Sequence, residues 1–171
     1  LAKKLKPRLK KDMARFQKAK AKMEGKEAGP ITAWDIRYYI NQVKKQDYSL
    51  DDEVLREYFP KDYTMEGMFE IYETLFGVKF EEIKNADVWH PQVKMYRTLD
   101  KKTKKVLSYF YMDLFPRDGK YGHAAAFTLI RGRTLENGEY SKPVSSVVAN
   151  FTAPTDTKPS LLTFNEVETL F

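Results

Sequence analysis

Two histidines, His90 and His123, and the three alanines that follow the second are the places where this sequence could do chemistry. Imidazole is a frequent zinc ligand, and two histidines one helical turn apart would hold a metal between them. Neither histidine has such a partner. His90 sits in Trp89-His90-Pro91 and reads as a surface or turn residue; His123 follows Gly122 and opens the run Ala124-Ala125-Ala126. No residue is therefore assigned as a metal ligand. A strand that begins with three small side chains leaves its backbone approachable, which suits strand addition, the pairing of an extended peptide with an exposed sheet edge. The competing explanation is close packing of the alanines against a helix, and composition alone favours it. Glu166 and Glu168 lie two residues apart, so on a helix they point to different faces; Glu166 is better explained as a cap. The chain carries no nucleophile-elbow serine and no phosphate-cradling glycine loop, so no catalytic residue is assigned.

The elements that must position these residues follow from hydrophobic spacing and turn chemistry. Leu5, Leu9, Met13, Phe16 and Met23 recur at helical spacing and predict an amphipathic helix over residues 1–28, with Pro7 in its first turn and Gly25 and Gly29-Pro30 as breakers. Thr32 and Asp35 have capping-box spacing ahead of Ile36, Tyr39, Ile40 and Val43. Ser49-Leu50-Asp51-Asp52 is the expected cap of a third helix that Pro60 ends, and Thr64 the cap of a fourth that Gly77 stops. Beyond residue 77 the period changes from helix to strand. Val93 to Leu99 alternates, Asp100 to Lys104 is a polar turn, and Val106 to Phe115 returns as an aromatic strand. Pro116 to Gly122 is dense in turn residues, Ala124 to Arg131 reads as a third strand, and Asn137-Gly138 predicts a hairpin returning as a fourth over Val144 to Phe151. The expected class is α+β: N-terminal helices over 1–77, an antiparallel sheet of about four strands within 78–151, and a short C-terminal helix over 163–171.

Composition limits what such a chain does. At 171 residues, 42% of them hydrophobic and 14% aromatic, it is a folded protein of domain size. The absence of cysteine removes disulfides and thiolate metal sites and points to a reducing, cytoplasmic setting. No apolar run reaches the ~20 residues needed to span a bilayer, so no membrane partner is expected. The net charge of +6 is local: residues 1–28 carry +8 and the rest −2. The aromatic in this segment, Phe16, belongs to the apolar stripe, so none is set among the lysines to stack on bases, and the charge reads as the solvated face of a helix, with no nucleic-acid partner expected.

The last residues are the most suggestive. Thr163 followed by Glu166 is a capping box, and Val167, Leu170 and Phe171 aim the helix it opens at a core. The sequence stops about two turns later with no Gly, Asn or Pro signal, where an isolated helix needs roughly 12–15 residues to be even marginal in water. The expectation is a piece of a longer protein.

Several of these segments resemble one family. Phe110-Tyr111-Met112-Asp113-Leu114-Phe115-Pro116-Arg117-Asp118-Gly119-Lys120-Tyr121-Gly122-His123-Ala124-Ala125 is similar to the central signature of the thimet oligopeptidase and neurolysin family of zinc metallopeptidases. Val148-Ala149-Asn150-Phe151-Thr152, Lys158-Pro159-Ser160-Leu161-Leu162 and Asn165-Glu166-Val167-Glu168-Thr169-Leu170-Phe171 resemble later parts of it. Ala33-Trp34-Asp35-Ile36-Arg37-Tyr38-Tyr39 and Glu57-Tyr58-Phe59-Pro60 match upstream, in the same order. The resemblance covers nearly the whole chain and is weakest in the basic first helix.

The resemblance implies a single fragment of a peptidase catalytic region, with residues 163–171 leading into the helix that carries the family's H-E-x-x-H zinc motif. Zinc is thus the implied cofactor of the parent protein, with none expected on this fragment and no activity expected of it alone. The implied role of His123, Ala124, Ala125 and Ala126 is a strand beside the catalytic helix that pairs with the substrate backbone, which raises the edge-strand explanation above close packing. The implied partners are short peptide substrates and the remainder of the peptidase chain. A second reading makes the chain a non-catalytic peptide-binding or interaction module, with self-association covering the cut-off helix at Phe171.

Overall fold

The computed structural model describes residues 2–25 and 28–171, and the chain divides into two compact units, residues 1–55 and 56–171. In the first unit, α1 (Ala2–Glu24) and α2 (Ile36–Tyr48) pack through Ala19, Tyr39 and Val43, with Phe16 and Ile31 against them. Tyr39 and Val43 are one turn apart, so the spacing that predicts α2 also selects the face it buries. The stripe on α1 is covered only in its middle: Leu5, Leu9 and Met23 are exposed. Gly25 ends α1 with a positive φ of 95°, while the expected extension to residue 28 crosses 26 and 27, which lie outside the described residues. Pro7 lies in the second turn of α1 and not the first.

The capping box expected at Thr32 closes on one side only. The Asp35 carboxylate accepts the Thr32 N–H at 3.0 Å, but residues 33–35 form a turn and α2 begins at Ile36, with the Thr32 hydroxyl buried and without a hydrogen-bond partner. Asp35 is drawn instead to the Lys20 ammonium at 2.8 Å, and the hydrogen bonds from Lys20 and the Thr32 N–H hold its carboxyl down at about 2. After α2, Ser49 takes a left-handed conformation and α3 (Asp52–Leu55) adds one turn, its first residues capped by Asp51 through the Glu53 N–H.

The second unit holds the sheet. A 3-10 turn over Arg56–Tyr58 precedes α4 (Lys61–Phe76), which starts after Pro60; Thr64, expected as its cap, lies inside the helix and donates its hydroxyl back to the Pro60 carbonyl at 2.9 Å. Gly77 stops α4 at φ 65° as its position predicts. There follow β1 (Val78–Ile83), β2 (Lys94–Asp100), β3 (Val106–Asp113), β4 (Ala125–Ile130), β5 (Arg133–Thr134), β6 (Tyr140–Ser141), β7 (Val144–Val148) and α5 (Phe164–Leu170).

The α+β class holds, with a mostly antiparallel sheet, but it has five strands in the order β1-β2-β3-β7-β4 and one parallel pair, β3 with β7. The strand β1 lacks apolar alternation because Glu81 and Glu82 interrupt it. Both are matched across the ladder, Glu81 by Arg97 at 2.8 Å and Glu82 by Lys94 at 3.1 Å. The pairing of β2 with β3 slips between Thr98–Ser108 and Leu99–Val106, leaving Leu107 as the extra residue of a bulge. The Asn137-Gly138 turn closes only the small β5–β6 hairpin, with Gly138 at φ 80°. This hairpin lets β7 turn back between β3 and β4. It is therefore antiparallel to β4 and parallel to β3.

The core lies between this sheet and α4. Met65, Met68, Tyr96, Met112, Leu114, Ala149, Phe151 and Leu162 are buried together, and Val167 and Leu170 of α5 pack against them. Leu162 is 0% exposed, so it fixes the approach to α5. Removing its side chain to alanine belongs to the class of changes that costs about 2–5 kcal/mol.

Candidate functional site

The run singled out in the sequence lies on the edge of the sheet. Among the described residues β4 pairs only with β7, in the register Ala125 with Val148, Ala126 with Val147 and Phe127 with Ser146. Its other side makes no ladder, so every second residue presents an N–H and a C=O away from the sheet. His123, Ala124 and Ala126 are exposed and Ala125 is partly so. The alternation of a strand puts Ala126 on the same face as Val147, which packs on the core, while Phe127 lies on the opposite face with the buried Ser146.

On the core face a cleft of about 340 Å³ separates this edge from α5, bordered by Ala124, Ala126, Val147, Phe151, Thr169 and Leu170. Its β4 wall is low because the side chains there are methyl groups. Ala124, Ala125 and Ala126 share this cleft with Thr169 and Leu170 of α5.

Opposite the strand, α5 is held by its capping box. Thr163 Oγ1 accepts the Glu166 N–H at 3.1 Å, and Glu166 accepts the Thr163 N–H at 2.7 Å. The same carboxylate also accepts the Thr152 N–H at 2.7 Å and the Thr152 hydroxyl, while Ser160 donates to the Thr152 carbonyl at 2.6 Å. Glu166 thereby joins the start of α5 to the segment leaving β7. The sequence identifies the cap, but nothing local signals the Thr152 bonds, which span 14 residues.

The turn that feeds β4 is tied down by a charged cluster. The Asp113 carboxylate, at the end of β3, takes a bidentate pair of bonds from Arg117 at 2.7 and 2.8 Å and one from the Trp89 indole at 2.9 Å. Lys120 Nζ lies 2.9 Å from Asp113 Oδ1, and the two side chains are only 3% and 4% exposed. Burial by itself would raise the Asp113 carboxyl; the bonds from Arg117, Lys120 and Trp89 outweigh it and hold the group well below the usual carboxylate range. Sequence reasoning sees residues 116–122 only as turn formers. The available signal is weak: two cations at i+4 and i+7 from an aspartate that ends a strand. Asn150 completes the attachment by donating to the Tyr121 carbonyl at 2.9 Å.

His90 is a turn histidine, its Nδ1 accepting the Gln92 N–H at 3.3 Å. Among the described residues no three His, Cys, Asp or Glu side chains come together as a set able to hold a metal. The described residues do not by themselves fit a zinc site. Among the described residues no helix is long and apolar enough to cross a membrane.

A family model described as Peptidase family M3 matches residues 1–171. The chain is 45% identical over 140 residues to the "Thimet-like oligopeptidase" of Dictyostelium discoideum, covering 81% of this chain and 21% of that protein. It is 45% identical over 144 residues to "Saccharolysin" of Saccharomyces cerevisiae, covering 81% and 20%, and 37% identical over 172 residues to "Oligopeptidase A" of Escherichia coli, covering 100% and 25%. The chain spans about a fifth to a quarter of the length of these curated relatives.

Proposed function

Because the chain belongs to peptidase family M3, we propose that it forms part of the catalytic region of a zinc oligopeptidase acting on short peptides. Its share of the work is to receive substrate. The segment from His123 through Ala126, which leads into β4 and forms its first two residues, pairs with the peptide main chain. The methyl side chains of Ala124 and Ala126 leave room for the peptide beside α5. In this reading zinc and the groups that activate water are supplied by the remainder of the peptidase chain, and the present residues alone are inactive. The relatives named as oligopeptidases support the peptidase class. The observation that carries the substrate role is the unpaired side of β4 facing an open cleft. A cytoplasmic setting belongs to the same proposal, resting on the cysteine-free composition, and cell fractionation tests it.

Strand addition makes a sharp demand on the backbone at Ala125. Proline there fixes φ near −65° and removes the N–H, and both are incompatible with a regular ladder. In the full-length protein, Ala125→Pro is expected to reduce peptide turnover by at least about tenfold while zinc content, measured by atomic absorption, stays stoichiometric. Turnover retained at the wild-type level removes β4 as the substrate cradle.

A further inference from the structure

We infer that Lys120 is a positioning residue for the open edge of β4, a role that rests on the peptide-pairing reading just given. An ammonium has three protons to donate, and here four oxygens surround it. The main-chain carbonyls of Asp113, Phe115 and Ala149 lie at 2.9, 2.5 and 2.5 Å, and Asp113 Oδ1 at 2.9 Å. Asp113 is the last residue of β3, and Ala149 directly follows β7. One side chain therefore ties the turn at residue 120 to the ends of both parallel strands, three residues before His123.

The choice of a charged group for this task is informative. Two cations, Lys120 and Arg117, share the single carboxylate of Asp113 in a mostly buried setting. Desolvation makes such a cluster a poor source of stability compared with apolar packing of the same volume. What it supplies is convergence: one ammonium gathers the carbonyls of Asp113 and Phe115 at the end of β3 and of Ala149 after β7 around a single point. With Arg117 at one end and Asn150 holding the Tyr121 carbonyl at the other, the turn is fastened along its length. Beyond it, β4 has a ladder on one side only, so its height and register at the edge are set from this N-terminal anchor. Peptide pairing needs the main-chain groups of β4 in register, and a displacement of about 1 Å is enough to lose the gain from orientation.

The test uses the full-length protein and a quenched-fluorescent short peptide that it cleaves, together with a set in which one backbone amide at a time is N-methylated. In the wild-type protein, methylation at alternate positions is expected to lower kcat/KM by about fivefold for each lost main-chain bond. In Lys120→Met, kcat/KM of the unmodified peptide is expected to fall by about tenfold, mostly through KM, and the alternate-position methylation penalty to shrink below about twofold. A Lys120→Met protein that melts earlier but keeps the full alternating penalty overturns the proposal, since a residue with a purely structural role lowers stability without changing how the peptide is read. If Lys120→Met does not fold, Asn150→Ala loosens the same turn from its exposed end. That variant is expected to cut the penalty by about half, and an unchanged penalty with unchanged KM overturns the proposal. A wild-type protein that shows no alternating penalty at any position instead rejects the peptide-pairing reading itself, whatever Lys120 does.

Discussion

The Glu166 carboxylate accepts the Thr152 N–H at 2.7 Å while closing the capping box with Thr163, so one side chain both starts α5 and fastens it to the strand segment it faces. This double use separates its expected effect from that of its capping partner. Thr163→Ala removes one cap acceptor and is expected to cost about 1 kcal/mol. Glu166→Ala also leaves the part-buried Thr152 N–H unpaired and is expected to cost about 2–3 kcal/mol. Urea unfolding of the two variants gives the comparison, and equal losses would show that the Thr152 bond contributes nothing.

Asp113 carries an acid dependence of known sign. Its folded carboxyl is held below the usual range, so its stabilising contribution is complete above the unfolded aspartate value of about 3.9 and is lost as pH falls below it toward the folded value. Asp113→Asn, which leaves Lys120 and Arg117 without a counter-charge, is expected to cost about 3–5 kcal/mol at neutral pH. The gap between wild type and variant, followed by urea unfolding from pH 7 downward, should stay constant to about pH 4 and narrow below it. A gap that is flat throughout, or widens in acid, contradicts the ion-pair account.

Gly77 ends α4 in the left-handed region at φ 65°, and its carbonyl accepts the Lys101 N–H at 2.9 Å. No neighbouring atom lies where a Cβ would sit, so the penalty of a side chain there is purely conformational. Gly77→Ala is expected to destabilise by about 1 kcal/mol, and Gly77→Asn by less, because asparagine tolerates this region. Thermal melts of the pair check the order; alanine equal to asparagine would mean that the left-handed turn is not kept in solution.

Metal removal gives a direct check on the division of labour proposed here. With no cluster of metal-ligating side chains among the described residues, this chain by itself is expected to keep its melting temperature unchanged when chelator is added. Isothermal titration with zinc should give no stoichiometric binding. Either a chelator-sensitive melt or a one-to-one zinc isotherm would place a ligand set within these residues.

The parts of this molecule readable from sequence are those whose causes are local. The capping box at Thr163 and Glu166, the stop at Gly77, the β2–β3 hairpin and the breaker at Gly25 each depend on residues within a few positions of one another. Where a local signal competed with a distant partner, the distant partner won: Asp35 turned to Lys20, and the helix expected from Thr32 began a turn late. The strand β1 is not legible in the sequence because its Glu81 and Glu82 look like solvent residues until Arg97 and Lys94 stand across from them.

The sequence by itself determined the kind of chain this is: α+β, free of cysteine, with motifs of one peptidase family and small residues at one strand start. Tertiary structure alone decided what those residues are free to do. Ala125 and Ala126 lie at the edge of the sheet because β7 fills the place between β3 and β4, and the turn before them is tied down because Lys120 meets carbonyls from the ends of both β3 and β7. Spacing along a chain encodes period and turn. It does not encode which strand inserts beside which, or where a buried ammonium finds its acceptors, because those depend on contacts made only when distant segments are brought together.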